Sequence, residues 1–337
     1  MISPWFRRLA YITTLLAFCV IVIGAFVRLT DAGLGCPDWP GCYGHITPPD
    51  EAHELSRVEQ QFPGAKVEAH KAWNEMIHRY LAATLGLLIV VMALVAWRNR
   101  RSPAQPVLLP TLLVLLVSFQ GALGMWTVTM LLRPAIVTMH LLMGMLTLAL
   151  LGWLAFRARG PGYEAASSAP GRHLRGWAFL GLFVLFAQIA LGGWTSTNYA
   201  ALHCPDFPTC QGQWLPPTDF SEAFDIVGEP GVNYEGGLLD NDARVTIHLV
   251  HRIGALITTV YLLLLAMAVV RSSGAAARRA ALLLMVVLAL QVGLGIGNVV
   301  MSLPLGLAVA HNGGAALLLL ALVFLNHALR RKTAGAI

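Results

Sequence analysis

The chain has 337 residues, of which 57% are hydrophobic and only 12% charged. That balance is a membrane protein's and leaves little chain for a soluble domain. The net charge of +6 would suit a nucleic acid partner, but the basic residues fall at the ends of apolar segments, so none is expected.

Eight apolar segments are long enough to span a bilayer, at roughly 9–29, 73–97, 107–129, 135–156, 175–196, 244–270, 280–301 and 307–328. The first follows Arg7 and Arg8 and superficially resembles a signal peptide. It is too long for that, lacks an evident small-x-small cleavage site, and has a counterpart in the fifth segment. Of the 23 Lys and Arg residues, 15 fall on one side, at Arg7/Arg8, Arg98/Arg100/Arg101, Arg157/Arg159/Arg172/Arg175, Arg271/Arg278/Arg279 and Arg330/Arg331/Lys332. By the positive-inside rule that side is cytoplasmic, so both termini are expected there and the long loops at about 30–72 and 197–243 face outward. A bacterial-type inner membrane is the expected location.

The first outer loop carries Cys36 and Cys42, and the later one Cys204 and Cys210, each pair with five residues between. On the outer face these read as structural or regulatory disulfides, Cys36–Cys42 and Cys204–Cys210; a redox-active or metal-binding pair is the alternative. Cys19 lies within the first span and reads as inert. Trp39, Tyr43, Trp194 and Trp214 suit an interfacial cap over the helix bundle.

The matching loops belong to a repeat that covers nearly the whole chain. GCPDWPGCYGHITPP (35–49) aligns with HCPDFPTCQGQWLPP (203–217), EMIHRYLAATLGLLIVV (75–91) with HLVHRIGALITTVYLLL (248–264), and SFQGALGMWTVTM (118–130) with ALQVGLGIGNVVM (289–301). Gln120 meets Gln291, Gly124 meets Gly295 and Met130 meets Met301. Four spans per copy is an even number, so both copies share one orientation. The expected fold is therefore an all-α integral membrane protein: eight transmembrane helices in two tandem four-helix bundles, related by a pseudo-two-fold along the membrane normal. Residues 1–156 form the N-terminal repeat, 157–174 a polar cytoplasmic linker and 175–337 the C-terminal repeat. The glycines at 121, 124, 293, 295 and 297 read as helix-packing residues.

Four histidines stand out: His78, His140, His251 and His311. They lie 62 and 60 residues apart within a copy and are offset by 173 and 171 between copies. Each is expected about five residues into the outer end of an even-numbered helix, about 8 Å below the helix start. Intramembrane imidazoles are costly to place. The nearby positive helix end and desolvation favour the neutral, metal-binding ring. Axial ligation of two hemes accounts for them best, with His78 and His140 at one and His251 and His311 at the other. Four buried histidines that merely hydrogen-bond across helices is the plainer reading.

Glu75 lies one turn before His78, where the second copy has His248, so a carboxylate stands beside one pair only. It reads as a group that handles protons or a developing cation there; a carboxylate simply paired with Arg79 is the alternative. Arg79 and Arg252 directly follow their histidines and are candidates for pairing with heme propionates, or for snorkelling to the interface. His248 competes as a ligand, but only His251 keeps register with His78. His45, His53, His70, His173, His203 and His327 sit in loops or at helix ends and are expected to be solvated.

Taken together, GLGCPDWPGC, Glu75-Met-Ile-His78-Arg79, its echo His251-Arg252, and His140 and His311 resemble the heme A synthase family across all eight spans. The resemblance implies an integral membrane enzyme of cytochrome oxidase assembly, an oxidoreductase that converts heme O to heme A. It would oxidise the porphyrin C8 methyl to a formyl group through the heme I alcohol. It further implies heme b as cofactor on His251 and His311, the substrate heme at His78 and His140, and a catalytic role for Glu75. Attack of water, with Glu75 stabilising the cation or taking the proton, is favoured over direct oxygen activation. Implied partners are heme O, a heme O synthase, oxidase assembly factors, a membrane electron donor and further copies of the chain. One rival is a diheme b-type cytochrome for electron transfer. All four histidines lie near the outer face, however, which places two hemes side by side rather than stacked across the bilayer. Another rival is a transporter built from a parallel repeat, but the almost wholly apolar cytoplasmic halves of the helices argue against it.

Overall fold

The computed structural model describes residues 2–64, 66–158 and 172–330. Most of the expected linker, 157–174, lies outside the described residues, as do Arg159, Arg331, Lys332 and the side chains of Arg172 and His173. Among the described residues the chain is all-helical, without strands. The helices are α1 (Pro4–Leu29), α2 (Ala52–Gln61), α3 (Ala69–Arg98), α4 (Leu108–Thr129), α5 (Pro134–Arg157), α6 (Arg172–Thr197), α7 (Phe220–Ala223), α8 (Asn241–Ser272), α9 (Ala275–Val300) and α10 (Leu305–Ala328). Eight of them are long and apolar enough to cross a membrane, which makes this a multi-pass membrane protein. The other two, α2 and α7, are short helices in the two long loops that the apolar pattern did not signal.

Helices α3 and α8 begin earlier than their apolar runs. Their first turns, Ala69-His70-Lys71 and Asn241-Asp242-Ala243-Arg244, are polar and extend past the apolar stretch. The histidine depths therefore differ from the uniform five residues expected from the pattern. His78 is the tenth residue of α3 and His251 the eleventh of α8, while His140 and His311 are each the seventh of α5 and α10.

Neighbouring helices form two rings. Helix α1 packs on α3 and α5, and α4 packs on the same two; α6 packs on α8 and α10, and α9 packs on those two. The rings meet where α10 packs on α1 and α5, and α5 on α6. Exchanging α1, α3, α4, α5 for α6, α8, α9, α10 leaves this contact pattern unchanged. At the seam small residues bring backbones together: Gly193 of α6 faces Leu141 and Thr138 of α5, and Gly313 of α10 faces Val22 and Phe18 of α1. At the end of the bundle that carries the long loops, Arg28 donates to the Ser196 carbonyl at 2.7 Å and lies over the Tyr199 ring. Toward the opposite end, Asn326 of α10 donates to the Ala178 carbonyl of α6 at 2.9 Å.

His327 departs from expectation. It is buried rather than solvated, packed edge-on against Trp153 of α5. The end of α10 lies inside the seam between the two rings, so a residue that looks terminal in sequence is interior in space.

The two cysteine-bearing loops repeat in backbone detail. Asp38 accepts from the Tyr43 and Gly44 N–H groups, and Asp206 from those of Gln211 and Gly212. Each carboxylate thereby folds a two-residue turn in which both φ values are positive, with glycine at the second position. The Thr209 hydroxyl and these N–H groups hold the Asp206 carboxyl below the usual aspartate range. Both cysteine pairs, Cys36–Cys42 and Cys204–Cys210, are bridged. Cys19 is a free thiol.

Two leucines on one helix test the central place of α10. Leu319 is 0% exposed and Leu317 41% exposed. Leu319→Ala should destabilise the folded protein by ~2–4 kcal/mol, and Leu317→Ala by much less. Unfolding in detergent micelles measures both, and equal losses would contradict the packing.

Candidate functional site

The four histidines are positioned by close contact with glycines. A Cβ added at Gly24 of α1 would lie 2.9 Å from Cε1 of His78, and one at Gly124 of α4 would lie 3.3 Å from Cε1 of His140. The second half repeats this, with Gly192 of α6 at 3.1 Å from His251 and Gly295 of α9 at 3.0 Å from His311. Each ring thus packs directly against a position without a side chain, most tightly at Gly24. Gly124 and Gly295, expected to pack helices, instead receive rings, and Gly24 and Gly192 align in the loop register, since Cys36 meets Cys204 at the same offset.

The rings pair within each half. His78 lies within electrostatic reach of His140, and His251 of His311. The Nδ1 atoms of His78, His140 and His311 are buried without a hydrogen-bond partner. Among the described residues no cluster of three or more His, Cys, Asp or Glu could hold a bare metal ion. Two imidazoles from facing helices are the donor set of a bis-histidine heme. With glycine cradles and orphaned ring nitrogens, these residues fit such a group.

Carboxamides brace three of the four histidines. Gln120 donates to the His140 carbonyl at 2.9 Å and Gln188 to the His251 carbonyl at 3.1 Å, its nitrogen also 3.0 Å from His251 Nδ1. Gln291 approaches His311 Nε2 at 3.4 Å. The alignment of Gln120 with Gln291 was visible in the repeat, whereas Gln188 has no glutamine counterpart and drew no notice.

Glu75 is 4% exposed. One oxygen accepts from Arg79 at 2.5 Å and the other from the Cys36 N–H at 2.9 Å. Its counterpart His248 is equally buried and accepts from Arg252 Nε at 3.3 Å. The two arginines also tie the loops to the helices. Arg79 donates to the carbonyls of Asp38, Pro40 and Gly41, and Arg252 to those of Cys204 and Thr209. Each disulfide-closed loop is therefore pinned over the helix that carries the first histidine of its pair. Of the remaining histidines, His53 and His70 are exposed, His45 lies 3.8 Å from Glu54, and His203 contacts Asn241 and Arg244.

Eight spans with two imidazole pairs on glycine cradles make a multi-pass membrane bundle whose donor set would fit flat, bis-ligated groups. A family model described as cytochrome oxidase assembly protein matches residues 7–323. The heme A synthase of Shewanella oneidensis is 51% identical over 331 residues, 98% of each chain. That of Mesorhizobium japonicum is 32% identical over 334 residues, covering 93% of this chain and 87% of its own. That of Nitrosospira multiformis is 29% identical over 340 residues, covering 96% and 92%. The chain belongs to the heme A synthase family.

Gly35 makes the contact to Glu75 sterically possible. A Cβ there would lie 2.7 Å from the Lys71 carbonyl carbon and 2.8 Å from the Ala72 nitrogen, both backbone atoms that cannot swing aside. Gly35→Ala should lift the loop from α3, remove the Cys36 N–H from Glu75 and cost ~1–3 kcal/mol. Amide hydrogen exchange at Cys36 reads this directly, and unchanged protection would show that the loop accommodates the methyl.

Proposed function

We propose that this protein is an integral membrane oxidoreductase that converts heme O to heme A, oxidising the C8 methyl of the porphyrin to a formyl group by way of the alcohol heme I. The observation that carries the reading is the combination of two matched histidine pairs with a buried carboxylate beside only one of them. Equal halves would suit a cytochrome. A single Glu75 marks one half for chemistry. Family membership, with a 51% identical heme A synthase over nearly the full length, supports the same reaction.

In this reading residues 1–156 form the substrate half, where His78 and His140 hold the heme O iron and orient its methyl edge. Residues 175–337 form the cofactor half, where His251 and His311 hold heme b. Heme b, when bound there, would supply a one-electron redox centre for the electrons that leave the substrate. The symmetric contact pattern of the two helix rings supports a pseudo-two-fold along the membrane normal. With both termini cytoplasmic in a bacterial-type inner membrane, both sites lie near the outer face. Positive charge at Arg79 and Arg252 serves the propionates as well as the loop carbonyls.

Methyl to alcohol, with water as the oxygen source, releases two electrons and two protons, and alcohol to aldehyde releases two more of each. Glu75 is the proton acceptor for these steps and stabilises positive charge developing at the methyl carbon. Arg79 and the Cys36 N–H hold its carboxylate in one orientation, so no reorganisation is needed when charge appears. The pinned loop keeps bulk water off the reacting edge. Heme O is the substrate. A heme O synthase, oxidase assembly factors and further copies of the chain are the proposed partners, and, because water is the oxygen source, the four electrons released require a membrane electron acceptor in place of the expected donor.

Heme extraction and chromatography on membranes that express this chain with a heme O synthase test the proposal. Heme A or heme I should appear. Unchanged heme O in folded, bis-histidine protein would favour the electron-transfer cytochrome. Glu75→Ala should retain heme and lower heme A formation by 10²-fold or more, the usual scale of a lost acid–base group, roughly. Normal heme A from that variant would remove Glu75 from the mechanism. His311→Ala should abolish heme binding in the C-terminal half while heme O still binds the N-terminal half. Loss of heme from both halves would argue against independent sites.

A further inference from the structure

The four histidines are alike in their glycine cradles but not in what braces them. Gln188, Gln120 and Gln291 each reach from an odd-numbered span to the histidine of the helix beside it. Each carboxamide rests against a glycine one turn past that histidine: Gln188 on Gly254, Gln120 on Gly144 and Gln291 on Gly314. At His78 both partners of this arrangement are missing. In the loop register that aligns Cys36 with Cys204, the position of Gln188 is Val20. In the helix register that aligns His78 with His251, the position of Gly254 is Leu81. Two aliphatic side chains stand where the other half has a carboxamide and its seat.

The consequence is mechanical and electronic. A carboxamide bonded to the histidine's own carbonyl fixes the height and rotation of that helix turn against its neighbour, and one in contact with the ring also fixes the ring. Groups of this kind orient a ligand and tune its hold on a metal. Val20 and Leu81 can pack but carry no side-chain donor, so at this layer α3 lacks the carboxamide bond to α1, and what polar contact His78 has is with the Val20 backbone. Resting on the heme reading above, we infer that His78 is the releasable axial ligand of the four, and that Gln188, Gln120 and Gln291 are positioning residues that keep the other three attached. Release breaks one iron–nitrogen bond and moves no electron. It opens a coordination position on the substrate half, on the helix that carries Glu75 one turn away. The cofactor half, braced on both histidines, stays six-coordinate and confined to electron transfer.

Carbon monoxide is the probe, titrated into dithionite-reduced holoprotein that carries heme in both halves, with heme content measured separately. The wild type should titrate in two phases, half of the heme responding at lower carbon monoxide concentration. Val20→Gln with Leu81→Gly installs the brace and should weaken the first phase by about 10- to 100-fold, the range for a ligand-orienting partner. Gln188→Val removes a brace and should strengthen the second phase by a similar factor, leaving the first unmoved. A general packing defect would not move the two phases in opposite directions. If the installing variant does not fold, Gln188→Val alone decides. A single-phase wild-type titration, or heme-replete Gln188→Val protein with an unmoved second phase, overturns the inference and leaves the heme reading intact. A folded chain that binds no heme at all overturns that reading itself.

Discussion

Imidazole is a poor fit for a bilayer interior, and each of the four here is accommodated by the same device. A glycine on the adjacent helix removes the side chain that would collide with the ring, so the two backbones close on either side of it. The ring then packs against that glycine, and at His251 and His311 a carboxamide also reaches a ring nitrogen. Helix spacing within each ring of four, and the place of each pair, follow from that contact. A methyl group at Gly24 would collide with the His78 ring, and one at any of the other three would crowd its imidazole.

The disulfide-closed loops depend on this arrangement. Their Asp-centred turns and disulfides make small rigid caps, and Arg79 and Arg252 fasten those caps to α3 and α8. In the N-terminal half the fastening also encloses Glu75, since the Cys36 N–H and Arg79 approach its two oxygens from opposite sides. A buried carboxylate is tolerated because it is paired and hydrogen-bonded. In the C-terminal half a histidine with one arginine contact takes the same place. Duplication thus supplied two equal scaffolds, and a few substitutions gave them different chemistry: Glu75 against His248, Val20 against Gln188, Leu81 against Gly254.

Much of this was legible in the chain itself. Eight spans, two copies, four histidines and the odd carboxylate are all matters of hydropathy and register, which are local and additive. The cradling glycines were half visible: Gly124 and Gly295 sit in the aligned motif, but nothing in the pattern separates a glycine that packs a helix from one that receives a ring. Gln188 was invisible because its counterpart is an aliphatic residue, and polarity in one copy alone does not register as a repeat.

The sequence by itself determined the span count, the duplicated order of the helices and which residue types stand in register, because apolar length and internal repetition act along the chain. Only the tertiary structure decided which glycine faces which imidazole, that Arg79 and Arg252 grip the loops, that Gly35 admits the Cys36 amide to Glu75, and that His327 is interior. Those outcomes depend on how far two helices approach and at what rotation. That is settled by the volume of side chains far apart in sequence, and no window along the chain contains it.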